Sequence, residues 1–150
     1  MKRKVTKLLR LAGVKAGGCR KAVKRAMIRS LTFEQWAMIM KKTSLRGKSR
    51  IVAISAMSSL AKTAEQWLVI FENSPAGSSY EDKAFAEIEK TEGFENWHNI
   101  FEKAKKCNRD IRNLALTKMD ELCKGPENRV YYIVALHMYG QDEKTERVLA

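Results

Sequence analysis

Two prolines and eight glycines among 150 residues are too few for a β-sandwich or barrel, which needs turn punctuation about every 8–12 residues. Cysteine is equally scarce. Cys19, Cys107 and Cys123 are odd in number and lack C-x-x-C spacing, which argues against both a disulfide framework and a zinc knuckle. Reduced thiols, small and at least partly buried in helices, are the expected state. Histidine occurs twice, at His98 and His137, and no H-x-x-x-H or D-x-D spacing supplies a metal site. No stretch approaches the roughly 18 apolar residues of a membrane span. The segment Leu8-Leu9-Arg10-Leu11-Ala12 is cut by an arginine and lacks the apolar run of a secretory signal. Acid is absent from residues 1–33, yet that stretch is Lys-rich and Ser-poor, unlike a transit peptide. A cytoplasmic protein is expected.

What remains is apolar and charged in the proportions of an ordinary globular domain: 45% hydrophobic and 31% charged. Residues 1–150 are read as one domain. The formal charge of +12 is unevenly distributed. Residues 1–50 hold 16 Lys and Arg against one acid, Glu34, for +15. Residues 51–100 carry −5 and residues 101–150 carry +2. The basic character therefore belongs to the first third of the chain.

The three tryptophans, Trp36, Trp67 and Trp97, are 31 and 30 residues apart and sit in related text. Thr32-Phe33-Glu34-Gln35-Trp36 nearly repeats as Thr63-Ala64-Glu65-Gln66-Trp67, and Gly93-Phe94-Glu95-Asn96-Trp97 keeps the acid and the ring. Ile39, Ile70 and Ile100 follow their Trp by three positions. The pairs Ala53/Met57, Ala84/Ile88 and Ala115/Met119 begin 17, 17 and 18 residues after it. Such register over three copies marks a repeat architecture.

One unit reads as two helices. Thr followed three residues later by Gln is a capping box, and Glu34 and Glu65 fall in the first turn, where the helix dipole favours an anion. Their acidity is accounted for by helix initiation. Trp67, Ile70 and Phe71, and likewise Trp97, Ile100, Phe101 and Ala104, follow one apolar stripe. Turn chemistry ends this helix at Arg46-Gly47-Lys48, at Ser74 to Ser78, and at Lys106-Cys107-Asn108. The second helix places Ile51, Ile54, Met57 and Leu60 inward in the first copy, and Ile111, Leu114, Ala115, Met119 and Leu122 in the third. A single hairpin cannot bury both faces and must stack. Val23, Met27 and Leu31 occupy the place of a preceding second helix. After Gly125-Pro126, residues 127–139 read as a further first helix with Tyr131 or Tyr132 in the Trp role, and residues 142–149 as a separate short cap.

The expectation is an all-α, right-handed αα-superhelix of three hairpins of 30–31 residues at 32–62, 63–92 and 93–124. Basic helices at 1–31 precede it and a C-terminal helical cap at 125–150 follows. The pattern F/A-E-x-W-x-x-I, turn, A-x-x-x-M/I resembles the helical-hairpin repeats of α-solenoids, similar in organisation to tetratricopeptide and HEAT arrays, over about residues 19–139. Met40, Phe71 and Phe101 stand where a tetratricopeptide unit has glycine, so no functional residue carries over. The resemblance implies a binding scaffold.

Catalysis finds little footing. Gly47-Lys48-Ser49 lacks the upstream Gly and strand of a phosphate loop and reads as a turn. Trp36, Trp67 and Trp97 begin apolar stripes and are expected in the core with Met57, Ile88 and Met119. No cofactor, metal or small-molecule substrate is implied. Like charges four apart on a helix are locally unfavourable, yet Lys21, Arg25 and Arg29 recur at that spacing, with Arg20 and Lys24 alongside. Lys41, Lys42, Arg46, Lys48 and Arg50 extend the run. These ten residues are the expected anion site, binding nucleic-acid phosphates without sequence preference. The alternative is an adaptor for an acidic protein. A membrane-surface role lacks an interfacial aromatic before Phe33.

Overall fold

A computed structural model of the chain describes residues 30–42 and 45–149, with side chains to residue 143. Among the described residues there are seven helices and no strand: α1 Phe33–Lys42, α2 Lys48–Leu60, α3 Ala64–Asn73, α4 Ser79–Glu89, α5 Phe94–Lys103, α6 Arg109–Leu122 and α7 Pro126–Leu149. The regular structure of the described residues is all helix, as the scarcity of turn residues implies.

Helix starts follow the capping chemistry. The Thr32 amide donates to Gln35 Oε1 at 2.9 Å and the Gln35 amide to Thr32 Oγ1 at 3.3 Å, closing the box ahead of α1. Before α3 the box is displaced by one residue. Thr63 Oγ1 accepts from the Gln66 backbone amide at 3.3 Å, but Gln66 Oε1 accepts from the Lys62 amide at 2.8 Å. Gln66 also donates through Nε2 to Glu34 Oε1 at 3.2 Å, so its side chain serves the neighbouring hairpin as well as its own cap. α4 is capped by Ser78, which accepts from the Glu81 amide. Gly77 and Gly93 adopt φ of +69° and +86° in the turns that precede α4 and α5, a region that other residues enter only with strain.

Packing is densest within the pairs α3/α4 and α5/α6, then α1/α2. Across pairs, α3 meets α5 and α5 meets α7, while α2 meets α3 and α4. The first helices α3, α5 and α7 thus contact one another in chain order. The core runs through all three units: Trp36, Trp67 and Trp97 are buried, as are Ile39, Ile70 and Ile100, and Met57, Ile88 and Met119 beneath them. Polar links at about one repeat's separation join successive units. Lys103 Nζ lies 2.6 Å from Glu65, and Glu72 Oε1 accepts from the Lys105 amide at 2.9 Å and from Asn108 Nδ2 at 3.1 Å.

Three expectations are corrected. Ile51 is 46% exposed; two steps of three residues rotate it about 120° from Met57, off the face that buries Ala53, Ile54 and Met57. The two cysteines among the described residues are not within helices: Cys107 is exposed in the turn after α5, and Cys123, half-buried, is the residue at which α6 ends, while Cys19 lies outside the described residues. The C-terminal region is one continuous helix of 24 residues, with no break before Asp142. Gly140 does not adopt positive φ, and an isolated helical Gly costs only about 1 kcal/mol. Contacts on both sides of it, from Tyr139 and Asp142 to Arg112, hold the helix on course. Of the two tyrosines, Tyr132 is the half-buried one and Tyr131 is 53% exposed. Tyr132 precedes buried Ala135 by three residues, as Trp97 precedes Ile100.

Candidate functional site

Of the ten basic residues expected to form the anion site, the five within the described part lie around one corner, where α1 ends and α2 begins. Lys41 and Lys42 are exposed in the last turn of α1, a position where positive charge complements the helix dipole. Arg46 and Lys48 are exposed on either side of Gly47, whose φ of +56° turns the chain into α2. Arg50 is half-buried, and its Nε donates to the Asn73 carbonyl at 2.8 Å. Arg50 therefore caps the carbonyl end of α3 and ties the first hairpin to the second. Arg20, Lys21, Lys24, Arg25 and Arg29 lie outside the described residues.

The start of α2 differs from the other helix starts. First turns elsewhere carry an acid: Glu34 in α1, Glu65 in α3, Glu81 and Asp82 in α4, Glu95 in α5, Asp110 in α6 and Glu127 in α7. The first turn of α2 has none, and its Gly47 cap offers no side-chain acceptor to the leading amides. Lys48 and Arg50 stand there instead, where the dipole disfavours cations by about 0.3–1 kcal/mol each. A bare helix N-terminus beside cations is a favourable place for an anion.

Neutralisation within the described residues is incomplete at this corner. Lys90, Lys103, Lys105, Lys106, Arg112 and Lys118 each meet a carboxylate. Lys41, Lys42, Arg46 and Lys48 meet none among the described residues. Glu34, the lone acid of residues 1–50, sits at the far end of α1. Hydrogen bonds from its own amide and from the Thr32 hydroxyl hold its carboxyl below the usual range, with Gln66 adding to them. It is committed to the α1 start and to the link with α3.

Other concavities differ in character. A groove of about 610 Å³ between the second and third hairpins is lined by Lys62, Glu65, Trp67, Glu87, Lys90 and Glu92, among others. Its charges are of both signs, and Glu87 is paired with Lys90 at 2.7 Å. His98 is half-buried, stacked on Phe94 with ring centroids 6.5 Å apart and tilted against Tyr131 at 5.0 Å. No group of three or more metal-ligating side chains occurs among the described residues, and no described helix is long and apolar enough to cross a membrane.

Two features escaped the sequence reading. Arg112 is 4% exposed on the inner face of α6. Its guanidinium lies 4.5 Å from the Phe101 ring centroid and 5.3 Å from that of Tyr139, and Nη1 is 2.9 Å from Asp142 Oδ2. Its place in the apolar series Arg112, Ala115, Leu116, Met119 was the available signal. The second is an exposed apolar face on α7, signalled by twelve residues without a charge from Val130 to Gln141. No protein-family model, curated protein or solved structure matches this chain.

Proposed function

We propose that this protein is a non-enzymatic binding scaffold, a right-handed αα-superhelix of stacked hairpins whose basic N-terminal end binds the phosphate backbone of nucleic acid. The observation that carries the reading is the reversed first turn of α2: lysine and arginine without acid, beside exposed Arg46, Lys41 and Lys42 with no carboxylate among the described residues to meet them. The other helix starts among the described residues follow the dipole rule, so the exception marks a place where an external anion offsets the local cost. The eleven further cations of residues 1–29 make that end of the molecule the electrostatic focus. Buried tryptophans leave no stacking platform on them, which favours backbone contacts over base readout. The same chemistry suits a reader of phosphates in the cytoplasm that uses neither cofactor nor metal.

Gel mobility of labelled single- and double-stranded DNA and RNA at about 50 and 200 mM salt tests this. A protein making several phosphate contacts loses orders of magnitude in affinity over that range. The double change Arg46→Glu/Lys48→Glu is expected to weaken binding at least about tenfold and to lower the salt slope by about two. The triple change Lys21→Glu/Arg25→Glu/Arg29→Glu is expected to do at least as much. Absence of retardation at low salt for every nucleic acid would overturn the reading and turn attention to an acidic protein partner.

A further inference from the structure

Six large apolar side chains on α7, Val130, Tyr131, Ile133, Val134, Leu136 and Met138, are between 42% and 61% exposed. Apart from Tyr131, whose ring edge meets His98, they do not belong to the face that docks on the body. That face carries Tyr132, Ala135, Tyr139 and Asp142, which are buried or half-buried and lead to the contacts with α5 and α6. At 100° per residue, Val130, Val134 and Met138 form a second stripe centred about 120° round the helix from the docking face. No described element packs along it. Together the six leave on the order of 500 Å² of apolar surface in water, as much as the largest patch of a typical monomer.

We propose that this face pairs with the same face of a second copy of the chain, with the two α7 helices antiparallel about a two-fold axis at Val134. Three observations favour a second copy. Residues 130–141 hold no charge in a chain with 31% charged residues and +12 overall, so the stripe is the surface on which two such copies can approach without opposing charges in contact. The stripe is complementary to itself: with Val134 against the partner's Val134, Val130 comes level with the partner's Met138 and Glu127 with the partner's Gln141. A carboxylate then faces an amide at each end of an apolar centre. The area also fits. With polar neighbours such as His137 and Glu127 forming the rim, the patch approaches the roughly 800 Å² per partner of a standard interface. A two-fold pair closes on itself and leaves no open end to extend into fibres. It also joins two basic ends in one assembly.

Sedimentation equilibrium of the full chain from about 1 to 100 µM reads the association directly. The wild type is expected at twice the chain mass in the upper part of that range. Val134→Glu and Ile133→Glu are expected to weaken dimerisation at least about tenfold each, with unchanged circular dichroism and melting of the monomer, because both side chains already face water. Raising salt should leave the dimer intact or tighten it, since screening reduces repulsion between like-charged copies; nucleic-acid binding responds in the opposite direction. In a background with Cys19, Cys107 and Cys123 changed to Ser, Val134→Cys should yield a disulfide-linked dimer on mild oxidation. A wild type that remains a single chain throughout the range overturns the proposal, including the case where hydrogen exchange finds the face covered by residues 1–29. So does a dimer that Val134→Glu leaves intact, or a Val134→Cys chain that never cross-links.

Discussion

Trp97→Ala is expected to lower the unfolding free energy by about 3–5 kcal/mol, a large part of the 5–15 kcal/mol typical of a whole domain. Trp97 is fully buried and its indole Nε1 donates to the Thr91 carbonyl at 3.0 Å. Truncation empties the largest space in the third hairpin and removes the donor from that carbonyl at the same time. Trp97→Phe separates the two effects: most of the ring volume stays, the hydrogen bond goes, and a loss of about 1–2 kcal/mol is expected. Urea unfolding followed by far-UV circular dichroism measures both. An unchanged midpoint for Trp97→Ala would mean that the tryptophans are not the pillars of the core.

The second large effect belongs to Arg112. Arg112→Ala is expected to cost about 2–5 kcal/mol, because it removes a large, almost fully buried side chain and leaves Asp142 to Lys106 alone. It also opens the space between Phe101 and Tyr139. The double change Arg112→Met/Asp142→Leu should recover most of the loss, since an apolar pair of similar volume often equals or exceeds a buried ion pair. The carboxyl of Asp142 is held below its ordinary range by the hydrogen bond from Lys106 and, against some desolvation, by the one from Arg112. A depressed pKa in the folded state gives stability that is complete above the unfolded value, about 3.9, and is lost as pH falls through the folded one. Wild type should therefore lose stability below about pH 4 through a component that Asp142→Asn lacks. Equal acid sensitivity in the two would assign the loss to other carboxylates.

The helical class and the core were legible because each rests on local rules. Thr32 and Thr63 announce helix starts through side chains within three residues of them. Trp, Ile and Met at fixed spacings mark the buried face regardless of what covers it. Arg112 was less legible because its partners come from another element: the sequence shows a charge on an apolar stripe, but Asp142 lies 30 residues away and the rings of Phe101 and Tyr139 on two different helices. The break expected before Asp142 fails for the same reason. Residues 142–149 looked like a separate cap when their polar composition was read alone, whereas the tertiary contacts of Tyr139 and Asp142 decide the path. At the basic corner, composition could count cations but could not tell Arg50, which is engaged by the Asn73 carbonyl, from Arg46 and Lys48 beside it. That distinction needs the fold.

The order of helix contacts has a kinetic consequence. Because each helix meets chiefly the next one or the one after it in the chain, loop closure costs little entropy before native contacts form, and low contact order of this kind goes with rapid folding. Either of the tightly packed pairs, α3/α4 or α5/α6, can serve as the nucleus, with the others adding by nearest-neighbour coupling. Each hairpin carries one tryptophan, so each has its own fluorescent reporter. Chains that retain a single indole would show whether the three units assemble together or in sequence.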